Sequence, residues 1–360
     1  MPPSNAEIKK RLQKRIWFGV GTLIILLAVL PGFYFYLQWQ SAKQLADFYA
    51  TVDFNLITDS GRAARERIQA VFLIADAARR NNYGLIADAL QQFENFENRL
   101  LEEQQKTFPH DSIPGMVYVP AGEFLFGGLG KFHGVPQDTS LSAYFIDCCP
   151  VTNSEFCQFL NQNGNQREAG ALWYNPENGH IDSTADGFVA QPGFENHPVV
   201  SVNWYAAHAY AKWKGKRLPT EYEWEKAARG IFGRLYPWGS VFDTQKCNSA
   251  SYWAEKDIFA ANRDAWYEQE GRRLVDTTPV MQFPEGKSPY GCYDMCGNVW
   301  EWTSSKFERL LRDEPRFVNR GGAFSYGIDQ IQNPHRGLGH PAVSGSITGF
   351  RCVMDTKKQD

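Results

Sequence analysis

From Ile16 to Trp39 the chain runs for 24 residues without a charged side chain, including the aliphatic run Leu23 to Leu30. At about 1.5 Å of rise per residue, a helix of that length crosses a hydrocarbon core of roughly 30 Å. Trp17 lies near one end, and Tyr34, Tyr36 and Trp39 lie near the other, as interfacial aromatic belts do. Lys9, Lys10, Arg11, Lys14 and Arg15 precede the segment, whereas only Lys43 follows it closely. That asymmetry orients the N-terminus toward the cytoplasm. A cleaved signal peptide is the competing reading, but the apolar stretch is long for an h-region and no A-x-A-like site follows it. The expectation is a single-pass anchor in the inner (plasma) membrane. Residues 1–15 form a cytoplasmic tail and 16–39 the transmembrane helix, with everything beyond on the extracytoplasmic, periplasmic side.

Residues 40–110 read as a helical stalk. Val71, Ile74, Ala75 and Ala78, then Leu85, Ala89 and Phe93, recur at helical spacing, and Asp59-Ser60-Gly61 and Asn81-Asn82-Tyr83-Gly84 supply breaks. Such a stalk acts as a spacer or as a partner-binding bundle. From Pro114 onward short strand-like runs such as Met116–Val119 alternate with Gly, Pro and Asn turns. Thr152-x-x-Glu155 and Thr220-x-x-Glu223 are capping boxes, with Gly164 and Gly230 as stops. A third helix carries Trp204, Ala207, His208 and Ala211 on one face and ends at Gly215. Two or three helices among short strands and long loops indicate an α+β head over residues 113–357, sparse in regular structure.

The net charge of −3 offers no basic excess to neutralise phosphates, so no nucleic-acid partner is expected. All seven cysteines (148, 149, 157, 247, 292, 296 and 352) fall in the head. An oxidising compartment would allow up to three disulfides, although adjacent Cys148 and Cys149 are poorly placed to pair with each other. No C-x2-C spacing points to structural zinc. Gly127-Gly128-Leu129-Gly130-Lys131 lacks the Ser/Thr of a P-loop, and neither H-E-x-x-H nor G-x-S-x-G occurs.

Eight blocks then occur in order. They are Gly115–Phe124, Pro150-Val-Thr-Asn153, His197–Trp204, Gly215–Trp224, Tyr236-Pro-Trp-Gly239, Gly291–Thr303, Arg320-Gly-Gly322 and Gly349-Phe-Arg-Cys352. This series resembles the formylglycine-generating enzyme (sulfatase-modifying factor) family, whose fold is related to C-type lectins. The resemblance covers about residues 113–355 and extends to neither anchor nor stalk.

The resemblance implies a calcium site on Asp294, Gly297, Val299 and Glu301. Two carboxylates with two backbone carbonyls between them suit an ion that takes six to eight oxygens. A second family calcium site would begin near Asn248 and Ser249, but an insertion around residues 252–275 displaces its later acidic ligand. In catalytic members the Arg-Gly-Gly motif continues through Ser to a C-x4-C pair that binds copper. Here Ala323 stands at the Ser position, Tyr326 at the first Cys and Ile331 at the second. Phenol and alkyl groups cannot replace thiolates at a Cu(I) centre, so no copper and no formylglycine formation are expected, and the catalytic residues are unknown. The array H-x3-H-x-E of related iron-dependent sulfoxide synthases is absent as well.

Arg320, Tyr326, His335, Arg336, His340 and Arg351 gather polar and aromatic groups where the family's site lies, and are the candidate ligand-binding residues. Glu221 and Glu225, early in a helix, read as dipole-stabilising carboxylates rather than an acid/base pair. His208 reads as a hydrogen-bonded core histidine. The leading expectation is a membrane-anchored binding or accessory subunit of a membrane complex, with a protein partner or peptide ligand. The alternative is a peptide- or siderophore-tailoring oxidoreductase using a different site on the same fold.

Overall fold

The computed structural model describes residue 98 and residues 113–356, apart from 129–131, 134–136, 232, 240–241, 271–274 and 308–314. The expected membrane helix lies outside the described residues, as does the expected stalk apart from residue 98. Among the described residues no helix is long and apolar enough to cross a membrane.

The head opens with β1 (Met116–Val119), β2 (Gly122–Phe126), β3 (Gln137–Leu141) and β4 (Tyr144–Asp147). β2 and β3 form an antiparallel pair, while β1 pairs with β4, Tyr118 opposite Phe145. Helix α1 (Asn153–Asn163) follows at once. Its start is fixed by Thr152, whose hydroxyl accepts from Glu155 N–H while the Glu155 carboxylate accepts from Thr152 N–H at 2.9 Å. Gly164 ends it at φ 73°, a backbone state that costs glycine little.

Two small hairpins come next, β5 (Arg167–Glu168) with β6 (Ala171–Leu172) and β7 (Ile181–Thr184) with β8 (Gly187–Ala190). Helix α2 (Trp204–Trp213) buries Ala206, Ala207, Tyr210 and Ala211, and Asn203 caps it by accepting from Ala206 N–H. Phe156 and Phe159 of α1 meet Tyr210 of α2 and Trp173, which gives the main apolar core its aromatic character. His208 differs from expectation. It is half-buried and stacked on Trp204 at 4.8 Å, because the helix turns its alanines inward and leaves this edge at the rim.

Helix α3 (Glu221–Arg229) begins with the second capping box, Thr220 with Glu223. The insertion folds into α4 (Ala250–Ala254) and α5 (Ala260–Gln269), around a small cluster of Ala250, Ile258 and Trp266. The C-terminal sheet comprises β9 (Trp300–Lys306), β10 (Phe317–Arg320), β11 (Gly337–Gly339) and β12 (Thr348–Gly349), in the order β11-β10-β9-β12. Strand β12 runs parallel to β9 and the other pairs are antiparallel. Finally β13 (Val353–Asp355) returns to β4 and completes the sheet β1-β4-β13. The few short strands and separate hairpins match the expected sparse α+β head.

Candidate functional site

The centre of the head is an unusually charged helix. Glu221, Glu223, Glu225, Lys226 and Arg229 of α3 are all buried. Charges removed from water need partners, or each costs several kcal/mol (roughly) in desolvation. Each of these has one. Glu225 accepts from Arg229 at 2.7 Å, from Gly127 N–H at 2.6 Å and from Arg320. Glu223 holds Arg217 at 2.6 Å, Glu221 holds Arg336, and the Lys226 ammonium donates to the carbonyls of Pro120 and Gly122. The helix thus acts as an electrostatic hub that ties β2, β10 and the segment after β10 together. Glu221 lies in the first turn of α3, as expected, and both Glu221 and Glu225 are in addition ion-pair partners.

A second buried pair lies alongside. Glu301 on β9 accepts from Arg351 Nε at 2.7 Å and Nη2 at 2.8 Å, and from Trp224 Nε1 at 2.8 Å. Both charged side chains are 0% exposed. Arg351 also donates to the carbonyls of Tyr293 and Asp147.

These two networks correct part of the candidate ligand set. Arg320 is buried, paired with Glu225, packed over Trp224 and bonded to the carbonyls of Pro334 and His335. Burial pushes its guanidinium down to about 10, so it stays charged at neutral pH. Arg351 is sealed in the same way. Both arginines hold the fold together and neither presents a donor to a ligand. Their positions beside the family's site motifs suggested otherwise because the sequence does not show which carboxylate each one faces.

The remaining candidates do gather. Tyr326 packs edge-on against Trp300 at 5.4 Å and beneath the Arg263 guanidinium at 4.7 Å. The His335 ring lies 5.9 Å from Trp300, 5.6 Å from Phe132 and 5.9 Å from His133. Arg336 extends over Phe307 toward Glu221. Burial holds His335 down to about 4 and His133 down to about 3, with each histidine opposed by nearby arginine charge. Both rings are therefore neutral above mildly acidic pH. His340 stands apart beyond β11, its Nδ1 accepting from Ala342 N–H. Sequence reasoning missed Phe132, His133 and Arg263, and Trp300 is itself buried, 5% exposed, behind Tyr326 and His335. The two residues at 132 and 133 carry no motif, and Arg263 belongs to the insertion.

Copper does not fit here. Ala323 and Ile331 are fully buried, and the Ile331 Cγ2 packs so closely that a methyl group at Gly322 would meet it at 2.5 Å. Cys296 is the cysteine that comes nearest, and its thiol donates to the Ile331 carbonyl at 3.2 Å. Burial and the neighbouring Cys247 push that thiol well up, away from the thiolate a soft metal needs. Among the described residues no group of three or more His, Cys, Asp or Glu is arranged to hold a metal.

Calcium fits only in part. Asp294 accepts from Met281 N–H at 2.9 Å and sits at φ 56°, in a turn that Gly297 continues at φ 76°. The Glu301 charge is already compensated by Arg351, so a cation would meet one uncompensated carboxylate, that of Asp294, rather than two. Asn248, which would open a second site, donates to the Asp276 carbonyl and to Asn298, and accepts from Trp253.

The sulfatase-modifying factor enzyme 1-like domain matches residues 101–356, the whole of this head. The chain belongs to that family. It is 33% identical over 278 residues to the serine/threonine-protein kinase pkn1 of Chlamydia caviae, covering 71% of this chain and 40% of that protein. It therefore spans less than half the length of that relative. It is 33% identical over 288 residues to inactive C-alpha-formylglycine-generating enzyme 2 of Mus musculus, covering 68% of this chain and 87% of that protein. It is 30% identical over 302 residues to the formylglycine-generating enzyme of Thermomonospora curvata, covering 69% of this chain and 95% of that protein. Family membership is thus compatible with catalytic and inactive relatives alike, and the site residues must decide.

Proposed function

We propose that this sulfatase-modifying-factor-like head is a binding module without formylglycine-forming activity, carried by a membrane anchor as an accessory subunit of a membrane complex. One observation carries the reading. Where catalytic relatives need two thiolates, Tyr326 packs edge-on against Trp300, and Ile331 is packed hydrocarbon.

What Tyr326, His335 and Phe132 offer instead, backed by the buried Trp300, is an aromatic surface with neutral imidazoles, flanked by the guanidinium groups of Arg263 and Arg336. Phe132 is 56% exposed. Aromatic faces give large contact area at low conformational cost, and are enriched where proteins grip other chains. The proposed ligand is an extended peptide segment of a partner protein. The N-terminal charge asymmetry around residues 16–39 supports the anchor. Asp294 with the carbonyls of Gly297 and Val299 supports a weak structural calcium ion.

The test is direct. The purified protein is incubated with Cu(I), oxygen, a reductant and a C-x-P-x-R peptide. The peptide mass should stay unchanged, whereas a thiol-to-aldehyde mass loss abolished by a copper chelator would overturn the reading.

A further inference from the structure

At the end of β4, away from the aromatic surface, two adjacent cysteines present their sulfurs to each other. Cys148 and Cys149 are both reduced and half-buried, and the Cys148 thiol lies 3.8 Å from the Cys149 sulfur. The backbone of Cys148 is clamped on both sides. Its N–H donates to Gly115 O at 2.9 Å, and its carbonyl accepts from Tyr293 N–H at 2.7 Å. Pro150 follows Cys149 and restricts its backbone to extended conformations. The pair is thus held at one place, and both residues are partly exposed. The other five cysteines are buried.

We propose that Cys148 and Cys149 form a vicinal dithiol that exchanges with accessible disulfides, cycling between two thiols and a short-lived disulfide with each other. The two sulfurs have the asymmetry such exchange needs. The Cys149 thiol and the nearby Arg351 charge lower the Cys148 thiol to about 7, which makes it the nucleophile. Cys149 is pushed well up by its neighbour and by burial, so it remains a thiol until it is needed.

The chemistry balances with one co-reactant, a disulfide. The Cys148 thiolate attacks one sulfur of the incoming disulfide. A mixed disulfide forms, the incoming S–S bond breaks, and the first leaving thiolate takes up the proton that Cys148 had shed. Cys149 then gives up its proton and attacks the Cys148 sulfur. The bond between Cys148 and Cys149 forms, the mixed disulfide breaks, and the second leaving thiolate is protonated. Two protein thiols are oxidised and one disulfide is reduced to two thiols.

Geometry makes the product short-lived. Neighbouring Cα atoms are about 3.8 Å apart across a trans peptide, below the roughly 4.4–6.8 Å that an unstrained disulfide spans. A strained disulfide is the more readily reduced one. The resting state is therefore the dithiol, as expected for adjacent cysteines, and the disulfide is an intermediate that any thiol reductant discharges.

The experiment uses the full-length protein, glutathione disulfide as probe, an acid quench and peptide mass analysis. In the wild type, the peptide carrying residues 148 and 149 should lose two hydrogens and carry no glutathione. In Cys149→Ser the same treatment should leave glutathione trapped on Cys148. In Cys148→Ser, position 149 should stay unmodified. Melting curves of both variants establish that each is folded. A persistent adduct in the wild type, an unmodified Cys148 in Cys149→Ser, or a bond from Cys148 to any other cysteine overturns the proposal.

Discussion

Replacing Glu301 with Gln keeps the shape of the side chain and removes the charge that Arg351 needs. In the native head Arg351 is sealed from solvent and donates twice to Glu301, which also accepts from Trp224. A Gln amide can accept at one end only, so at least one of these three donors loses its acceptor and meets an NH2 group instead. Breaking a buried pair by neutralising one partner leaves a desolvated charge, and costs about 3–5 kcal/mol. With a urea slope of about 2 kcal/mol per molar, the unfolding midpoint should fall by roughly 1.5–2.5 M. Adding Arg351→Met removes the stranded charge, and the double variant should recover most of the loss, because an apolar replacement of similar volume is often close to neutral. Running every curve with chelator present should leave the loss unchanged, since the partner of Glu301 is an arginine and not a metal. A loss below about 1 kcal/mol, or a double variant no better than the single, would refute the reasoning.

Gly297 sits at φ 76°, and a methyl group there would meet the Asn248 carbonyl oxygen at 2.1 Å, so Gly297→Ala should cost about 2–4 kcal/mol by the same urea assay. His133 and His335 have folded values held below the ordinary histidine range, at about 3 and 4. The unfolded chain therefore binds protons that the native head refuses, and stability should fall as pH drops from about 6.5 toward 4, by at most about 1.4 kcal/mol per pH unit for each ring. Replacing His335 with Asn should flatten that slope, and an unchanged slope would count against a buried neutral pair. Chelation should lower the melting temperature of the wild type, and Asp294→Asn should abolish the sensitivity; an identical curve for protein shown to be metal-free would dismiss the calcium ion. A reporter active only outside the cytoplasm, fused after Asp360, should be active, whereas activity of a cytoplasmic reporter alone would reverse the topology.

What was legible in the sequence was local. Thr152 and Thr220 cap their helices through a carboxylate three residues on, and Gly164 and Gly230 end them, because both devices depend on neighbours within one turn. The loss of the thiolate pair could be read in the same way, from three positions in one motif. The insertion that folds as α4 and α5 gave weaker signals. Its stabilising contacts are Asp329 on the Ala260 N–H and the burial of Trp266 against Ile258, and neither forms a periodic pattern.

The candidate site suffered most from what lies far apart along the chain. Glu225 and Arg320 are 95 residues apart, and Glu301 and Arg351 are 50 apart. Both arginines follow family motifs, so they looked like ligand-binding groups until their carboxylates were located. The distinction matters for function, because a guanidinium sealed from solvent and paired with a buried carboxylate and backbone carbonyls is out of a ligand's reach. Arg263 and Arg336 are the cations that remain beside Tyr326 and His335. Arg336 bonds the buried Glu221, whereas Arg263 pairs with the exposed Asp264, so Arg263, over the Tyr326 ring, is the residue whose removal should weaken ligand binding without disturbing the buried pairs. That separation follows from burial. Loss of Arg320 or Arg351 would weaken folding and binding together, whereas Arg263→Ala should leave the unfolding free energy within about 0.5 kcal/mol of the wild type.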